Sequence, residues 1–145
     1  MDLHPFFIHF PISLFLLALI IELIHKKIDW IHSNISLFIF VIASFFSIPS
    51  AYTGNSAEYS AGKIIGIQRL LEAHESIGTL ITISGIFFSF LLIFFKLKYP
   101  VKSFSLFRKA IFTLMTLMVL YTGYLGGEMV QKFGAGTNVK VEVNN

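Results

Sequence analysis

The chain is predicted to be an all-α membrane protein: four transmembrane helices in an up-down-up-down bundle, with both termini periplasmic. Three observations lead there. Of its 145 residues 55% are hydrophobic and only 13% charged, with a mean hydropathy of +0.77, a balance that belongs to membrane proteins and not to soluble domains. Four apolar runs, at residues 5–24, 31–53, 73–95 and 107–130, each approach the length of about 20 residues that crosses a bilayer as a helix. The joins between them are short, which makes successive helices antiparallel neighbours, and helices satisfy every backbone group in lipid. One domain, residues 1–136, is followed by a short polar tail, 137–145.

The first run opens with "HPFFIHFPIS". It resembles a signal peptide only in hydrophobicity, because Lys26 and Lys27 follow the run instead of preceding it and no small-residue cleavage site is present. It is expected to be retained. Glu22, near its inner end, stands at the i to i+4 spacing from Lys26, its expected partner. Pro11 in the first run and Pro49 in the second each remove a backbone bond and permit a bend. The join from Asn55 to Leu71 carries Ile64, Ile65, Ile67, Leu70 and Leu71, enough for a short interfacial helix. The tail alternates Val139, Val141 and Val143 with polar residues, the pattern of a brief strand.

Orientation follows from the basic residues. The joins after the first and third runs hold Lys26, Lys27, Lys96, Lys98, Lys102, Arg108 and Lys109, against Lys63, Arg69, Lys132 and Lys140 on the other side. Positive charge stays cytoplasmic, so both termini are expected outside a bacterial inner membrane. The isoelectric point near 9.2 is thereby explained by topology, without nucleic acid.

Ionisable groups in hydrocarbon persist mainly where they bind or pair. His4, His9 and His74 fall at the outer end of the bundle, and His9 and His74 fall at matching depths if their helices begin near Pro5 and Leu70. Two inward imidazoles from diagonal helices form the ligand set of a non-covalent b-type haem. His4, beside Pro5, is the alternative ligand. His25 and His32 flank the inner join and are read as solvated. With no cysteine, thiolate sites, iron–sulfur clusters and covalent haem are excluded.

Small residues accompany the histidines. Gly78 and Gly85 share a face with His74, Ser44, Ser47, Ala51 and Gly54 line the second helix, and Thr116, Gly123 and Gly127 line the fourth beside Gly126. Such stripes either admit a flat ligand or let helices pack closely. Arg69 is placed to pair with haem propionates, with Lys63 more simply solvated. Glu75 and Glu128 are candidate acceptors that fix an imidazole tautomer, or surface groups.

The segments "LHPFFIHFPISL", "TGNSA", "AHESIG" and "TGYLGGEMVQKFGAG" together resemble the domain-of-unknown-function family 2231, small bacterial four-helix membrane proteins similar to two-haem membrane cytochromes. The resemblance runs from Leu3 to Gly136. It singles out His4, Pro5, His9, Phe10, Pro11, Gly54, His74, Gly126, Gly127, Gly134 and Gly136. In the closing motif many members have an aromatic residue at Gln131 and some a histidine at Phe133, so any role of that histidine is missing here.

Three functional classes fit. The preferred one is an electron-transfer membrane cytochrome, not an enzyme alone, with one haem b rather than two held by His9 and His74, exchanging electrons with a quinone or a periplasmic cytochrome. The second is a cofactor-free anchor among respiratory-complex subunits. The third is a zinc or copper site built from His4, His9, His74 and Glu75. No phosphate loop, nucleophile elbow or His-Glu-x-x-His helix occurs, and no charged ring suits a channel.

Overall fold

The computed structural model describes residues 3–25, 33–99 and 104–137. They form four long helices: α1 (His4–Ile24), α2 (Ser33–Ala61), α3 (Gln68–Lys98) and α4 (Ser105–Phe133). Each is long and apolar enough to cross a membrane. Even the shortest, α1 with 21 residues, reaches about 31 Å at the helical rise, close to the thickness of a bilayer core.

The helices close into a ring in which α1 and α3 each pack against both α2 and α4 and lie diagonally opposite one another. Cross-contacts run antiparallel. Glu22 of α1 meets Ser36 at the start of α2, whereas His4, at the other end of α1, meets Ser50 well further along α2. Between α3 and α4, Phe95 contacts Phe107 at one end and His74 reaches Thr122 at the other.

Phe15, Phe40, Phe112, Met115 and Leu92 fill the centre, with Ala18 and Ala43 allowing close approach. Gly85 brings α3 against α2, because a Cβ there would lie 3.1 Å from Ser44 Oγ. The serines are satisfied within the bundle: Ser44 donates to the Phe40 carbonyl, and Ser89 donates to Ser44. Ser44 and Gly85 therefore serve helix packing in the middle of the bundle. Phe38, Phe87, Phe90 and Leu97 point outward, as a lipid-facing surface requires.

Helix ends differ from expectation. Residues 55–61 complete α2 and residues 68–71 open α3, leaving a join of residues 62–67 where an interfacial helix was expected. Gly66, at a φ of 86°, makes the turn, its N–H is accepted by Gln68 Oε1, and buried Ile67 anchors the join against Met129 and Ala135. Gly134 ends α4 in the left-handed conformation, its N–H bonded to the Val130 carbonyl and that of Ala135 to Met129, as glycine-terminated helices do. The expected strand near Val139 to Val143 lies outside the described residues, as do Lys26 and His32.

The two helical hairpins repeat one another. His74 follows His4 by 70 positions, while Phe112, Thr122 and Gly126 follow Phe40, Ser50 and Gly54 by 72. Contacts obey the same exchange. Thr116 of α4 donates to the Phe15 carbonyl of α1, and their equivalents, Ser44 of α2 and Gly85 of α3, are also in close approach. The bundle thus has a pseudo-twofold relation between α1–α2 and α3–α4.

Candidate functional site

His4 is the first residue of α1, followed by Pro5, whose fixed φ and missing N–H suit a helix start. Its ring crosses to α2. Nδ1–H donates to the Ser50 carbonyl at 3.0 Å, with Thr53 Oγ1 at 3.3 Å. Gly54, one turn beyond Ser50, makes room for it: a Cβ there would sit 3.1 Å from His4 Cε1.

His74, in the second turn of α3, is held in the same way by α4. Its Nδ1–H donates to the Thr122 carbonyl at 3.1 Å, and a Cβ on Gly126 would lie 3.4 Å from its Cε1. Each imidazole thus has a carbonyl and, four residues later, a glycine on the neighbouring helix. Donation from Nδ1 puts the ring's lone pair on Nε2, the tautomer control found behind metal-ligating histidines. The two rings come together with centroids 6.2 Å apart and planes at 84°.

His9 is not the histidine that meets His74. It is exposed, donates Nδ1–H to the Pro5 carbonyl of its own helix, and lines a shallow groove with Phe10, Ser13 and Leu14. Five helical residues turn the chain through about 140° relative to a full circle, so His4 and His9 cannot share a face, and α2 and α4 extend past the start of α1 so that His4 is level with His74. Of the glycines singled out, Gly54 seats an imidazole, Gly123 makes ordinary contact with Ile12, and Gly78 and Gly127 have open space within 4 Å. Gly126 proves to be the second seat. Arg69 and Glu75 are exposed at the same end. Glu128 accepts from Tyr124 and Lys132 along its own helix instead of from an imidazole.

The opposite end holds a group the sequence reading did not assemble. Glu22 is fully buried. Its Oε1 accepts from Arg108 Nε at 3.0 Å and Nη2 at 2.8 Å, and its Oε2 accepts from Ser36 Oγ at 2.7 Å. His25 donates Nδ1–H to the Glu22 carbonyl. Arg108, counted from the sequence as a join charge, is buried in this pair, two of its nitrogens converging on the single oxygen Oε1. An acidic residue inside an apolar run was the available signal.

A comparison with curated proteins and with solved structures gave no match. The family model described as "Predicted membrane protein (DUF2231)" matches residues 1–139, a span that includes both seated histidines and both glycine seats. This chain, a bundle of four apolar helices with paired imidazoles at one end, therefore belongs to the DUF2231 family of membrane proteins.

Proposed function

We propose that His4 and His74 would together hold one b-type haem, and that the protein is a small electron carrier of a bacterial cytoplasmic membrane with both termini outside. The observation that carries this reading is the pairing itself. The two rings stand 6.2 Å apart, centroid to centroid, and one metal-centred group could be held between them. Equivalent carbonyl anchors on Ser50 and Thr122 favour two equivalent ligands.

The number of donors favours haem over a bare ion. Among the described residues no group of three or more His, Asp or Glu side chains is placed to hold a metal, whereas zinc takes three or four protein ligands. Two imidazoles suffice for iron held by a macrocycle. Gly78 and Gly127 keep bulk away from the same end, and exposed Arg69 supplies a cation there. Bound haem would supply one-electron chemistry; the chain's part is to fix the imidazole tautomers and to surround them with apolar helices. The cytoplasmic assignment of the inner end rests on its lysines, which still outnumber the outer basic residues after Arg108 is set aside.

Oxidised and dithionite-reduced absorption spectra of the detergent-purified protein, with a pyridine haemochrome assay, test the reading. Reduced b-type bands are expected in the wild type and in His9→Ala, and are expected to disappear in His4→Ala and His74→Ala. A wild type that stays colourless after incubation with haemin overturns it and leaves the cofactor-free anchor.

A further inference from the structure

We infer that the groove beside His9 is a binding site for the hydroxylated ring of a membrane-dissolved quinol. The groove is shallow, about 260 Å³, and is lined on α1 by His9, Phe10, Ser13 and Leu14. It opens on a lipid-facing surface that also shows Phe6, Leu16 and Leu17.

Two polar groups stand in it without partners. His9 donates Nδ1–H to the Pro5 carbonyl, which puts its lone pair on Nε2, and neither Nε2 nor the Ser13 hydroxyl has a hydrogen-bond partner among the described residues. Polar groups left unpaired against hydrocarbon are costly. A ligand arriving from the lipid phase would satisfy both.

The chemistry narrows the ligand. An Nε2 lone pair calls for an O–H donor, and the Ser13 hydroxyl, four residues further along the same helix and about 6 Å up the axis, calls for a second oxygen. A quinol ring, with one hydroxyl at each of two opposite corners, carries both. Phe10, itself stacked on Phe46 at 4.9 Å, forms an apolar wall for the ring, and the volume suits one substituted ring with its tail left in lipid. Among the described residues no lysine or arginine lines the groove, which disfavours a phosphate headgroup. The pseudo-twofold relation does not explain these residues either, since the α3 positions equivalent to His9 and Ser13 are Thr79 and Ile83.

This site is independent of the His4–His74 pair, and its test keeps the two apart. Protein labelled at histidine nitrogens and leucine methyls is placed in phosphatidylcholine nanodiscs and titrated with decylubiquinol. A saturable shift of His9 Nε2 and of the Leu14 methyls is expected. In His9→Phe the Leu14 response should be lost, in Ser13→Ala it should weaken about tenfold, one hydrogen bond's worth, and in His74→Ala it should remain. His9→Gln, which keeps an acceptor, should retain part of it. An unchanged Leu14 response in His9→Phe overturns the inference. So does a response to added phosphatidylglycerol with none to the quinol.

Discussion

Phe40 and Phe112 stack ring on ring, with centroids 4.4 Å and planes 9° apart, and they occupy equivalent positions in the two hairpins. Both are fully buried, so each half of the repeat contributes one face of the same central contact. Phe40→Ala and Phe112→Ala should therefore destabilise the bundle by similar amounts, about 3–5 kcal/mol each. Their double mutant should fall short of additivity, because the two rings share one contact. Denaturant unfolding in detergent measures both.

The glycine seats give a sharper contrast. Gly54→Ala places a methyl 3.1 Å from His4 Cε1 and Gly126→Ala one at 3.4 Å from His74 Cε1, whereas Gly78→Ala meets nothing within 4 Å. Overpacking at Gly54 costs about 1–3 kcal/mol, while the Gly126 methyl stands at the edge of ordinary van der Waals contact and costs less. The expected order of thermal stability is Gly54→Ala lowest, then Gly126→Ala, with Gly78→Ala at or above the wild type because alanine favours helix over glycine. Haem retention, where it is present, should follow the same order.

At the opposite end, the Glu22–Arg108 pair predicts a strong asymmetry between single and double changes. Arg108→Met leaves a buried carboxylate without its cation and should cost about 3–5 kcal/mol. Combining Glu22→Leu with Arg108→Met removes both charges and should recover most of that loss. Unfolding of the four proteins in a double-mutant cycle reads the coupling.

Acid should release a ligand held at the imidazoles. The proposed ligation would use the Nε2 lone pairs of His4 and His74, and protons compete for the same electrons. Affinity for haem should be full at neutral and alkaline pH and fall as the pH is lowered, with the tautomer-fixing bonds from Nδ1 unaffected. A spectrophotometric pH titration of the reconstituted protein follows the loss.

Much of this architecture is legible in the residues because lipid leaves few alternatives: a run such as 73–95 has to be a helix. The site is less legible, for an identifiable reason. Depth alone pairs His9 with His74, on the assumption that the helices start level. The structure instead carries α2 through Gly54 to Ala61, past the beginning of α1, and brings His4 to the level of His74. Angular spacing along α1 was the usable clue. The repeat escapes notice because its halves share few identical residues beyond the histidines, the phenylalanine pair and the glycine seats; its regularity lies in contacts. Arg108 reads as a join charge until the fold supplies Glu22.

The burial of that arginine bears on how the protein is made. Glu22 on α1 leaves the ribosome 86 residues before Arg108 on α4. Until α4 arrives, the Glu22 carboxylate has the Ser36 hydroxyl of α2 beside it but not the Arg108 guanidinium. The buried pair therefore forms only once α4 has been inserted, and a chain truncated before α4 keeps Glu22 without that cation, a costly group to leave in hydrocarbon.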